Sequence, residues 1–292
     1  MKFSEKLRNL RKQAQLSQEQ LADKIGVSRQ AITKWETDAG TPDIQNLVAI
    51  ARLFGTGLDE LVLGETQRPA PDFLFESRAE YDISGRKHFD LELGGTAAIQ
   101  LLGYEGEKLR VRLASGSISN LQRAMKLRLE DEKDRLDLSV RRMEGFTEAE
   151  AKAAVHIFLE FPKKYTKGIE LHAQTARLEI ADLQGVGVEF SGRAEEAVVR
   201  EVSGKVELDS NADLRVSLEA FSGRLDFNQI SATSRVRVPE GWPFRAALRG
   251  MGNRIDYAID GDRAEDFSDS EAENVIELNG MRSELLIEKR SK

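Results

Sequence analysis

The sequence predicts a two-part chain: a short all-helical head followed by a large all-β body. Three observations lead there. Apolar residues recur at helical spacing from Phe3 to about Leu63. A proline-containing stretch, residues 65–72, then has no apolar periodicity. From Phe73 onward apolar and polar residues alternate, with small-residue–Gly steps returning at equal intervals at Gly185, Gly204 and Gly223. Period 3.6 marks amphipathic helices and period 2 marks half-buried strands. The expected division is 1–64 for the head, 65–72 for a linker and 73–292 for the body.

The first helix is expected over residues 3–14, with Phe3, Leu7, Leu10 and Ala14 as its inner face and Lys6, Arg8, Arg11 and Lys12 on its other faces, either simply solvated or in reach of a phosphate backbone. In the second, Ser17 is a natural N-cap and Gln20 stands three residues on to close a capping box. Leu21, Ala22 and Ile25 supply its apolar face, and Gly26 follows its last turn, where a left-handed backbone is needed. Ser28 caps a third helix that turns Ile32 and Trp35 inward and Arg29, Gln30, Thr33 and Lys34 outward. Those four side chains carry the donors and acceptors that match base edges in a major groove. The plainer alternative is a helical bundle with a solvated polar face. Pro42 at the first position of a fourth helix, capped by Thr41, should lead into Ile44, Leu47, Ile50 and Ala51 as its inner face. Residues 58–63 read as a short fifth helix.

The Leu-Ser-Gln-x-x-Leu-Ala run from Leu16, the Gly26-Val-Ser turn and the Ile32-x-x-Trp-Glu run occur in the order and spacing of Cro/cI-type (XRE family) helix-turn-helix regulators, and the stretch from Phe3 to Gly64 resembles that family. The resemblance implies a five-helix, lambda-repressor-like bundle. It also implies roles. Ser17, Gln18 and Ser28 would hold phosphates. Arg29, Gln30, Thr33 and Lys34, on the third helix, would read bases in double-stranded DNA. One small head makes few contacts, so the expected form is a homodimer on half-sites about 34 Å apart, joined through the body or the fifth helix.

In the body, alternating segments such as Leu109–Leu113, Met125–Leu129, Leu136–Val140, Ile157–Phe161 and Leu225–Phe227 read as strands. Thr147 and Glu150 form a second capping-box pattern, predicting a helix to Ala154. Gln184-Gly185, Ser203-Gly204 and Ser222-Gly223 are evenly spaced, and each precedes an alternating run. One coil per interval suggests a β-solenoid, with Gly at the corners; a β-sandwich with evenly spaced hairpins is the alternative. The repeat style is similar to adhesin-like β-solenoid domains behind bacterial helix-turn-helix heads. It carries no binding residues with it. The acidic stretch Asp256–Glu273 is expected to interrupt the strands, and the tail from Glu288 to fray.

The chain has 292 residues, no Cys and a formal charge of −7. Residues 1–37 hold eight Lys and Arg against four acids, a net +4, leaving −11 for the remainder. A basic head on an acidic body concentrates attraction for phosphate at one end. No Cys means no disulfide framework and no thiolate metal site. The amino end lacks the apolar segment of a signal peptide, and no run is long enough for a membrane helix, so a soluble cytoplasmic protein without membrane insertion is expected.

No catalytic, cofactor or metal site is expected. Asp256, Asp260, Asp262, Glu265, Asp266 and Asp269 do not follow calcium-loop spacing. His88, His156 and His172 stand singly. Gly250-Met-Gly lacks the third glycine and the βαβ context of a dinucleotide site. No Ser and Lys stand out as a self-cleaving pair. The expected function is sequence-specific transcriptional regulation, read as repression. A protein or small-molecule effector could act at the body. The rival reading makes the body a protein-interaction or envelope-associated scaffold, with the head as tether.

Overall fold

A computed structural model of the chain describes residues 3–14, 16–54 and 73–289. The chain divides into two compact units, Met1–Asp72 and Phe73–Lys292.

The first unit contains α1 (Phe3–Gln13), α2 (Gln18–Ile25), α3 (Arg29–Glu36) and α4 (Ile44–Phe54). The expected fifth helix at 58–63 and the linker lie outside the described residues. Leu7, Leu21, Ala22, Ile32, Trp35, Leu47, Ile50 and Ala51 form its core. Burying an aliphatic side chain of this kind stabilises by about 1.5–3 kcal/mol, which fixes four short helices that would not persist alone. Three details differ from the sequence reading. Asp43, not Thr41, caps α4: its Oδ1 accepts from Asn46 N at 2.9 Å. Ile44 faces solvent at 74% exposure, because the first turn of α4 overhangs the core that its later turns cover. Ala14 falls just past the end of α1 and is exposed.

The second unit is built of β1 (Phe75–Asp82), β2 (Lys87–Tyr104), β3 (Lys108–Ser115), a helical turn α5 (Leu121–Ala124), β4 (Met125–Asp131), β5 (Arg135–Arg142), α6 (Glu148–Ala154), β6 (His156–Pro162), β7 (Thr166–Ala181), β8 (Gly187–Asp209) and β9 (Arg215–Ile230). It continues with β10 (Thr233–Arg237), β11 (Arg245–Leu248), β12 (Arg254–Ile259), β13 (Asp262–Ala264), β14 (Val275–Met281) and β15 (Glu284–Lys289). Thr147 and Glu150 make the capping box of α6.

The central neighbours β2, β7, β8 and β9 pair parallel. Gly168 lies beside Gly187, and Glu196 beside Arg215, each partner one repeat further along the chain. Among the described residues, antiparallel pairing is confined to β1–β3, β3–β6, β4–β5 and β12–β13. In-register apolar residues stack through the interior, Leu171 on Phe190, and Leu208 on Phe227 on Leu278, all buried.

The repeat has two backbone markers. Asp182, Glu201 and Ala220 adopt positive φ of 53°, 51° and 52°, a left-handed corner that composition does not announce. Three residues after each comes the glycine seen in the sequence. At Gly223 (φ 126°) a Cβ would lie 2.1 Å from Gly204 O, so successive glycines let the backbones nest.

The acidic stretch does not interrupt the strands throughout: it contains part of β12 and all of β13, with Tyr257 and Ala258 buried. Burial along β12 does not alternate, since the adjacent Tyr257 and Ala258 are both inside, so a period-two pattern is missing there. Glu288 belongs to β15 and is buried, facing Arg237. No helix among the described residues is long and apolar enough to cross a membrane.

Candidate nucleic-acid interface

The candidate interface is the outer face of α3 together with the start of α2. Ser17, at φ −73° and ψ 163°, accepts from Gln20 N at 3.1 Å, while Gln20 Oε1 accepts from Ser17 N at 2.8 Å. This box satisfies two helix-end donors and sets the direction of α2. Gly26 (φ 75°, ψ 33°) ends it, its N–H donating to Ala22 O. Two residues later Ser28 Oγ accepts from Ala31 N at 3.2 Å and starts α3. Local chemistry within Ser17–Ala31 therefore fixes where α2 ends and α3 begins.

The inner face of α3 is locked. Ile32 and Trp35 enter the core. Glu36 is the unexpected member: its side chain is only 2% exposed. It accepts from Arg11 Nε at 2.6 Å, Arg11 Nη2 at 3.0 Å and Gln18 Nε2 at 2.9 Å. Arg11 Nη1 also donates to Leu16 O at 2.8 Å. One carboxylate thus ties α1, α2 and α3 together. Burial alone would raise the Glu36 pKa. The hydrogen bonds from Arg11 and Gln18, with the positive charges of Arg11 and Arg8, outweigh it and hold the carboxyl below its ordinary value. The hydrogen bond to Glu36 pushes the Arg11 guanidinium up. Arg11 is therefore a bolt within the bundle, not the outward cation that its helix position suggested. Lys6 is likewise buried.

The sequence-singled residues fall as follows. Ser28, Arg29, Gln30, Thr33 and Lys34 are exposed on one side of α3. The side chains of Arg29, Gln30 and Lys34 make no hydrogen bond or ion pair among the described residues, so their donors face solvent. Thr33 Oγ1 reaches both Gln18 Oε1 and Arg29 O at 3.1 Å. Gln18 is half-buried between Thr33 and Glu36. Ser17 is exposed at the start of α2. Sequence reasoning missed the Arg11–Glu36 pair. The only trace was an acid immediately after the core Trp35.

A helix-turn-helix family model matches residues 7–61. The HTH-type transcriptional activator BcrR of Enterococcus faecalis is 48% identical over 65 residues, which span 22% of this chain and 32% of that protein. The HTH-type transcriptional regulator YobD of Bacillus subtilis (strain 168), itself uncharacterised, is 38% identical over 88 residues, 30% of this chain and 78% of YobD. The chain belongs to the helix-turn-helix transcriptional regulators. It spans only about a third of BcrR. Among solved structures, the P22 c2 repressor in complex with a synthetic operator aligns over 22% of this chain and 98% of its own, at 31% identity and a TM-score of 0.22. A candidate cell-adhesion protein from Clostridium sporogenes ATCC 15579 aligns over 74% of this chain and 100% of its own, at 12% identity and a TM-score of 0.38.

Proposed function

We propose that this regulator binds double-stranded DNA sequence-specifically, with α3 in the major groove, and that it acts as a repressor. The observation that carries the reading is the solvent-facing, unbonded row Arg29, Gln30 and Lys34 on a helix whose opposite face is bolted to α1 and α2. Arg29, Gln30, Thr33 and Lys34 select bases. Arg and Lys suit guanine, and Gln suits adenine. Ser17, Gln18 and Ser28 anchor phosphates and set register. The Gln18 amide supports this part: Glu36 accepts from its nitrogen, and a primary amide carries a second N–H for a phosphate at the N-terminus of α2.

The active form is a homodimer on two half-sites about one helical turn, roughly 34 Å, apart. It works in the cytoplasm, where its DNA is. The body, 73–292, joined through residues 65–72, is the regulatory and oligomerisation part. We read it as a β-solenoid; parallel pairing at one-repeat steps and the recurring left-handed corners support that over a sandwich of antiparallel hairpins. Selection of bound duplexes from a random pool with the full-length protein tests the reading. A palindromic consensus is expected. Absence of any sequence preference at moderate salt rejects it.

A further inference from the structure

The parallel pairing of β2 with β7 brings together side chains from distant parts of the sequence. Asp90 lies beside Glu170, and Glu92 beside His172. Their neighbours Phe89, Leu91, Ile169 and Leu171 are buried, so these four point to the outer face. One donor atom each from Asp90, Glu92 and His172 lies within 4.8 Å of the others.

The surroundings are arranged as around a ligand set. Arg135, on the neighbouring strand β5, donates from Nη2 to Asp90 Oδ2. That contact orients the carboxylate and leaves Oδ1 for another partner. His172 Nε2 lies 3.2 Å from Glu170 Oε1, which fixes the plane of the imidazole. Groups that hold ligands from behind in this way are a normal part of metal sites. Asp90 and Glu92 also line an open groove of about 230 Å³, so an ion has a path in. Acids outnumber arginines along the groove lining, and Glu170 adds a further carboxylate beside it.

We propose that Asp90, Glu92 and His172 form a binding site for a divalent first-row transition metal of the zinc type. An imidazole nitrogen with carboxylate oxygens favours such ions over calcium or magnesium, which prefer all-oxygen sets. Three protein ligands leave a coordination position for water. The site goes beyond DNA recognition and stands without it. Its ligands are spread over two strands, which is why the histidines stand singly in the sequence.

The test uses the full-length protein, stripped with chelator and titrated with Co²⁺ alone, followed by visible absorption, and with Zn²⁺ alone, followed by calorimetry. One saturable equivalent per chain is expected, with a ligand-field band for Co²⁺. His172→Ala should weaken binding about tenfold or more, while Glu195→Gln, at an exposed position elsewhere on β8, leaves it unchanged. The metal-free His172→Ala melt reports folding. If that variant unfolds, Glu92→Gln, at an exposed position, makes the same measurement. Lack of a saturable equivalent, or wild-type affinity in both ligand variants, overturns the proposal.

Discussion

Gln18 Nε2 donates to Glu36 Oε2 at 2.9 Å, joining the first residue of α2 to the last residue of α3. The residue proposed to bind phosphate is therefore also part of the clamp that holds α3. Loss of its amide should act on both. Gln18→Ala is expected to weaken binding to specific and random duplexes alike, with the slope of log affinity against log salt nearly unchanged, because the amide carries no charge and displaces no counterion. Parallel gel-shift titrations at several salt concentrations measure this. A loss confined to the specific site would remove the phosphate role.

Arg29 presents the opposite case. Its side chain is exposed and bonds to nothing among the described residues, so truncating it leaves the bundle intact. Arg29→Ala should lose roughly 1–3 kcal/mol of site-specific binding with nonspecific binding nearly unchanged. Competition with random DNA checks it; equal losses on both would contradict base reading.

The Arg11–Glu36 pair should show in stability. Removing one partner strands a buried charge, and Arg11→Ala is expected to destabilise the head by about 3 kcal/mol, read by chemical denaturation. The pH dependence has a definite sign. The folded Glu36 pKa lies below its ordinary 4.5, so the contribution is fully present above about pH 4.5 and is lost as pH falls through the folded value. Acid melts of wild type against Arg11→Ala should converge below that point. A constant gap down to low pH would show that Glu36 is not the titrating group.

The two glycine environments in the body separate crowding from conformational freedom. Gly223→Ala sets a methyl against the Gly204 carbonyl at positive φ and should lower the melting temperature by several degrees, about 2 kcal/mol or more. Gly187→Ala meets nothing within 4 Å and has no positive φ, and should be neutral. Differential scanning calorimetry decides; equal effects would mean that the stacked backbones do not nest at Gly223.

The buried apolar columns put the body's stability in its interior. Phe227→Ala removes a fully buried ring stacked between Leu208 and Leu278 and should cost about 3–5 kcal/mol. A shift of denaturation midpoint within experimental error would exclude that packing.

Local chemistry was legible in the sequence by itself. The Ser17–Gln20 and Thr147–Glu150 boxes, the Gly26 turn, the outward row on α3 and the even glycine period could all be read, because each depends on residues within a few positions or on exact repetition. Ile44 misled because periodicity says which face a residue occupies, not whether the core reaches that far along the helix. Only the tertiary structure decided what Arg11, Glu36 and Gln18 do, and that Asp90, Glu92 and His172 meet. Those groups lie far apart along the chain, and a polar side chain carries no local mark of its distant partner. Burial of Glu36 arises only when the helices of the head have packed, and the parallel register of β2 on β7 only when the body has folded.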